Sequence, residues 1–392
     1  MMARRVKRSR FRRWLPSMVL GVLVVAGCNS GGIGDTPPPP PRPDMDGGDM
    51  MEAADMAEPP RPSQCVVDGK RIEGEWRPNV AQVTVGAADG CATAVGDDQV
   101  WFIAGRDQGG TPSSDVQILD LRTLVVRTGV SLPYALTNIS CAQYRGEILA
   151  IGGESGVVQQ KTVLVFQGDH WDRWKCRPNG LGGTICDSML DVRSRSQSTT
   201  VPAAGDDYLC TGGGAGGTGP TAAECQNPPP YTIAPVTLHN YHLPTFNVGR
   251  IGTATAFWNG RFCVMGGEAR GAGMPMDGTL LGDIQCLTTV LRNPMTGGTL
   301  GVWEASTRPL PIKSRNVLAG TFSVGPDESL YEFADGRLFE LRPPPNLAPE
   351  EKSPLPGDSG IVGSRRPFAR VREGFIAASH DGHVSLWCPG DP

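Results

Sequence analysis

The chain has 392 residues, enough for a substantial core in one large domain or two ordinary ones. Glycine (52) and proline (35) are over-represented and charged residues make up only 19%, which suits short strands with tight turns and excludes a helical bundle. Net charge is −4, but seven of the 36 basic residues fall in the first thirteen positions. The 29 that remain face 40 acids, so there is no electrostatic case for binding nucleic acid.

Residues 1–27 read as an export leader. A basic start from Arg4 to Arg13 is followed by an apolar run from Leu15 to Val25, shorter than the ~20 residues that span a bilayer. Val25-Ala26-Gly27-Cys28 then places small residues before a cysteine, which resembles a bacterial lipoprotein lipobox. The resemblance implies cleavage before Cys28 and acylation of that residue, at ~0.8 kcal/mol per buried CH₂ a lasting membrane anchor. The alternative is an ordinary signal peptide. Asn29 follows the cysteine where an aspartate would signal inner-membrane retention, so the expected address is the outer membrane, facing the periplasm or the cell surface. Residues 28–63 are the expected tether. Pro37 to Pro41 favours extended polyproline II, and the acidic, Met-rich stretch that follows has nothing with which to build a core.

Residues 64–392 carry a repeated unit: a turn, an apolar run of strand character, and glycines that stop it. The clearest copy is GRFCVMGGE at 260–268. Variants stand at 98–106 (DQVWFIAGR), 146–154 (GEILAIGGE) and 206–214 (DDYLCTGGG), with weaker ones at 328–336 and 373–382. In residues 90–133 the unit reads as four short strands, at 91–96, 100–104, 116–119 and from 125 onwards. A period of roughly 45–65 residues points to propeller blades, not a sandwich. The expected architecture is therefore all-β, a β-propeller of six blades with room in the divergent loops for a seventh.

These units resemble kelch repeats. The stop is Gly105 in the first copy and a pair at Gly152-Gly153, Gly212-Gly213 and Gly266-Gly267; Asp335-Gly336 and Asp381-Gly382 replace it with tight turns. Leu-Pro endings recur at 132–133, 243–244, 310–311 and 355–356. Trp76, Trp171 or Trp174, and Trp303 fall where an outer strand should carry its aromatic. The sixth unit lacks an outer strand, so the stretch at 70–76 before the first unit is expected to close the last blade and cover its edge.

Setting Cys28 aside leaves ten cysteines, an even number in an exported chain. Sequence does not fix their connectivity, but the blade register suggests Cys65 with Cys388, Cys91 with Cys141, Cys176 with Cys186, Cys210 with Cys225, and Cys263 with Cys286. No two are spaced as zinc ligands, and no metal or other cofactor is expected.

The candidate chemistry is thin. His239 and His242 flank Tyr241, while His380 and His383 bracket Asp381-Gly382; neither pair has a ligand spacing on regular structure. GGGAGGTG at 212–219 lacks the lysine and the helix of a phosphate loop. Copper-radical oxidases and sialidases built on propellers carry motifs that no stretch here matches. Two readings follow. One is a monomeric, non-catalytic module that binds protein or glycan at the envelope. The other is a kelch-like envelope enzyme acting on sugars as an epimerase, lyase or oxidase. Converging His, Arg, Tyr and Glu side chains at one end of the central channel would mark the enzyme.

Overall fold

The structure is a computed structural model that describes residues 63–84, 88–107, 109–174, 177–178, 184–185, 194–203, 206–215, 223–226, 240–243, 245–246, 248–271, 278–287, 302–306, 309–324, 327–342, 348–358 and 364–390. The leader and the tether up to residue 62 therefore lie outside it. Among the described residues there is no helix, and six four-stranded antiparallel sheets form a six-bladed β-propeller.

Each blade takes its strands in order from the axis outwards. Blade 1 comprises Cys91–Val95, Gln99–Arg106, Pro112–Asp120 and Val126–Thr128. Blade 2 comprises Ser140–Tyr144, Glu147–Ile151, Val163–Phe166 and Trp171–Arg173. Blade 3 comprises Ser198–Ala203, Asp206–Gly212, Ala223–Gln226 and Asn240–His242. Blade 4 comprises Ala254–Trp258, Arg261–Met265, Ile284–Leu287 and Trp303–Ala305. Blade 5 comprises Val317–Val324, Asp327–Ala334, Arg337–Leu341 and Glu350–Glu351. Blade 6 comprises Phe368–Val371, Gly374–Ala378 and His383–Cys388, completed by Glu75–Gln82 from the start of the domain. The six innermost strands contact one another in a closed ring, the last touching the first.

The core is divided among the six seams between blades. Along one second strand, Val100 and Phe102 face blade 6, whereas Trp101 and Ile103 face blade 2. Both faces of a blade are covered, which is why second strands such as Gln99–Arg106 and Arg261–Met265 carry unbroken apolar runs without alternation. The leucines of the Leu-Pro endings, Leu132, Leu243, Leu310 and Leu355, are each about 4% exposed and seal four of these seams. Trp76, Trp171 and Trp303 stand on outer strands, as the repeat requires.

Two details differ from the sequence-based reading. The closing strand is Glu75–Gln82, not 70–76: Val66–Val67 and Lys70–Arg71 form their own small hairpin around Asp68-Gly69. That hairpin carries Cys65 back beside Cys388, opposite Glu75, and the Cys65–Cys388 disulfide joins the ends of the ring. In blade 3 the turning pair is Gly213-Gly214. Their φ values of 66° and 106° match those of Gly152-Gly153 (62° and 93°) and Gly266-Gly267 (61° and 88°). Gly212 is still strand, lying so close to Val264 of blade 4 that no Cβ fits. Blade 1 has Ala104 at the first of these positions, left-handed at φ 53°.

Among the described residues three further disulfides are present. Cys91–Cys141 ties the inner strands of blades 1 and 2, while Cys210–Cys225 and Cys263–Cys286 each bridge directly paired residues of second and third strands. Such bonds persist in oxidising, extracytoplasmic compartments. Arg177–Pro178 pairs with Thr184–Ile185 in a short hairpin, but Cys176 and Cys186 lie outside the described residues.

Candidate functional site

The ring of inner strands encloses a cavity of about 410 Å³ on the propeller axis, to which all six blades contribute. Small residues dominate these strands because six of them converge there, and Ala92, Ala142, Ala256, Ala319, Gly320 and Ala369 all line the wall. Between them stand six hydroxyls (Thr93, Ser198, Thr199, Thr200, Thr255 and Thr321) and the amides of Gln143 and Gln197. Among the described residues the one charged side chain in the lining is Arg370, and they bring no carboxylate and no histidine to it.

One end of this cavity is crossed by side chains. Arg365, in the loop leading into blade 6, is 4% exposed. Its Nη1 donates to the carbonyls of Ile139 (3.1 Å) and Ser196 (2.8 Å), which belong to the loops leading into blades 2 and 3. Burial pushes its pKa down to about 10, partly offset by the Asp89 carboxylate, so it remains charged at neutral pH. Just beneath, Gln197 of blade 3 donates to the carbonyl of Ala319 in blade 5 (2.8 Å), and its Oε1 accepts from the N–H of Ala319 (3.0 Å). Exposure rises away from this end: Ser198, Ala256, Ala319 and Ala369 are buried, whereas Thr200, Phe257 and Thr321 are half-buried and Arg370 is exposed. The cavity is thus a cup, closed where the inner strands begin and open where they end.

Around the closed end the lead-in loops are clamped by a repeated device. The residue after each turning glycine bridges back to its own blade's lead-in loop, pairing Arg106 with Ala88, Glu154 with Thr137, Ala215 with Ser194, and Glu268 with Ile251. Backbone N–H groups then link successive loops, Asn138 to Asp89, Arg195 to Asn138 and Gly252 to Arg195. Charges reinforce the clamp. Asp89 pairs with Arg106 (2.9 Å), Glu154 accepts from Asn138 and Ser194, and Glu268 meets Arg270 and Arg315. Fully buried Arg250 makes a forked pair with Asp283; burial alone would raise that carboxyl, but the guanidinium holds it below its usual range.

These side chains were not singled out from the sequence. The signal was available, since Arg195, Arg250, Arg315 and Arg365 each stand two to four residues before an inner strand. Loops of unequal length hide that recurrence until the blades are superposed. Converging polar groups do exist at one end of the channel, but they are engaged with one another and with backbone carbonyls.

The histidines singled out from the sequence are elsewhere. His383 is part-exposed at the turn closed by Ser379, its Nε2 3.9 Å from Asp381, and His380 sits in the same turn. His239 lies outside the described residues, and of His242 only its place in an outer strand is described. Of GGGAGGTG, residues 212–215 run from the strand end into the bridge to Ser194, and the rest lies outside the described residues. Among the described residues no group of His, Cys, Asp and Glu could hold a metal ion, and no helix is long and apolar enough to cross a membrane.

No family model matches the chain, and no curated protein matches it in sequence.

Proposed function

We propose that this chain is an envelope lipoprotein that presents a kelch-like propeller as a binding module, with the open axial cup as its ligand site. The observation that carries this reading is the composition of the cup wall. Hydroxyls, amides and small side chains offer hydrogen bonds and shape, the equipment of a recognition site. General acid–base catalysis needs titratable groups within reach of the reacting atoms, and the lining supplies one arginine. Gln143, Thr199 and Thr321 make no side-chain hydrogen bond among the described residues, so they are placed to offer theirs to a ligand. Membrane attachment through Cys28, and a periplasmic or surface-facing position on the outer membrane, agree with a disulfide-linked domain. Lipidation leaves the domain itself to act as a monomer.

The test is a glycan and peptide array probed with the purified full-length chain and with Thr199→Trp, which fills the cup from its wall. Binding by the wild type and its loss in the variant, with disulfides and strand content unchanged, is the expected result. Binding that survives the substitution would move the ligand site off the axis. Turnover of any sugar would favour the enzyme.

A further inference from the structure

We infer that the ligand of the cup is an acidic saccharide, held by its carboxylate against Arg370. This deepens the binding reading above and rests on it. The propeller belongs to a net acidic chain, yet among the described residues the lining of its axial cavity contains no carboxylate. A negatively charged group entering there meets none of the repulsion it would meet over an acidic surface. Arg370 sits at the open end of its inner strand, exposed, with its guanidinium carbon 5.6 Å from the centre of the Phe322 ring. That contact steadies the guanidinium while leaving its donors available. Among the described residues it pairs with no carboxylate, in contrast to Arg106, Arg250, Arg337 and Arg366, each of which has one.

The remainder of the cup selects for what the carboxylate is attached to. Gln143, Thr199 and Thr321, whose side chains are not engaged among the described residues, can each both donate and accept, which matches a ring carrying several hydroxyls better than an apolar or purely cationic partner. Phe257, half-buried at the same open end, supplies a flat apolar surface of the kind a sugar face covers. A volume of about 410 Å³ suits a short saccharide end, not a folded partner. With the opposite end crossed by Arg365 and Gln197, the ligand enters at the Arg370 end and stops there.

The experiment is calorimetric titration of the full-length chain with trigalacturonic acid and with its methyl ester, which keeps the shape and removes the charge. The acid should bind roughly 5- to 10-fold more tightly than the ester, the range of a partly exposed charge-assisted contact. Its affinity should fall between 50 and 500 mM salt. Repulsion from the acidic chain would give the opposite sign, so a rise with salt overturns the inference. Arg370→Gln should make acid and ester equal. If that variant fails to fold, Arg370→Lys and the ester comparison on the wild type decide the matter. Equal binding of acid and ester by the wild type overturns the acidic ligand but leaves the cup as a binding site. Binding of a glutamate-rich peptide in place of the uronate also overturns it, because the occupant is then a protein. If neither saccharide binds and Thr199→Trp changes no array signal, both readings fall.

Discussion

Arg365 of blade 6 reaches the carbonyl of Ser196, on the diametrically opposite side of the six-bladed ring, at 2.8 Å. A propeller is usually held by contacts between neighbours, but this bond acts across the axis. Replacing Arg365 with methionine keeps much of the side-chain volume and leaves the carbonyls of Ile139 and Ser196 without their donor. The expected cost is about 2–4 kcal/mol, measured by denaturant unfolding. A change within 0.5 kcal/mol would show that the bond carries no weight.

The disulfide between Cys65 and Cys388 spans 323 residues, so reducing it releases the largest loop available in the domain. The chain-entropy model gives about 5–6 kcal/mol as an upper bound. In Cys388→Ser the strand Glu75–Gln82 should exchange its amide hydrogens faster than any inner strand. Non-reducing peptide mapping that pairs either cysteine with another partner would contradict the ring closure.

Glu332 is fully buried on the second strand of blade 5, and burial pushes its pKa up to about 8; the Ile312 backbone and Arg337 offset this only in part. A carboxyl raised in the folded state holds a proton that the unfolded chain has released. Its stabilising effect is therefore complete below the unfolded value near 4.5 and is lost as pH climbs to about 8. Unfolding free energy should drop by a few kcal/mol across that window, and Glu332→Gln should flatten the slope. An unchanged slope in the variant would assign the pH dependence elsewhere.

Gly267 and Gly146 both have positive φ, at 88° and 81°, but their surroundings differ. A Cβ at Gly267 would overlap the carbonyl of Ile251, whereas one at Gly146 meets nothing within 4 Å. Gly146→Ala should cost about 1 kcal/mol in backbone strain, and Gly267→Ala at least 2 kcal/mol more. Equal midpoints in urea would mean that the lead-in loop yields freely.

Cys28→Ala should release the protein from the membrane fraction or leave the precursor uncut. Normal processing with unchanged fractionation would remove the lipid anchor.

Much of the fold was legible because its devices are local. Turn glycines, Leu-Pro endings and outer tryptophans recur from blade to blade in short sequence signals, and repetition exposes them. The glycine register of blade 3 was not legible, since Gly212, Gly213 and Gly214 are chemically alike and only backbone φ separates them. The closing strand was placed too early because a short hairpin at 66–71 precedes it, and two-residue strands leave little periodicity to read. The cup was invisible for a different reason. Its wall is built from alanines, threonines and glutamines that look ordinary in any one blade and acquire meaning only when six strands meet.

Covalent ties are unevenly spread around the ring. Blades 1 and 2 share one, blades 3 and 4 each contain one, and blade 6 is bound to the start of the domain. Between Cys286 and Cys388 the chain has no cysteine at all, so blade 5 is held by noncovalent contacts alone. Among the described residues it also lacks the bridge that clamps the lead-in loops of blades 1 to 4, having a two-residue turn at Asp335-Gly336 instead. In an oxidised molecule under heat or protease, blade 5 is the place to yield first, like a gate in an otherwise riveted wheel. A cut there would leave a linear chain of blades that the remaining disulfides still hold in order.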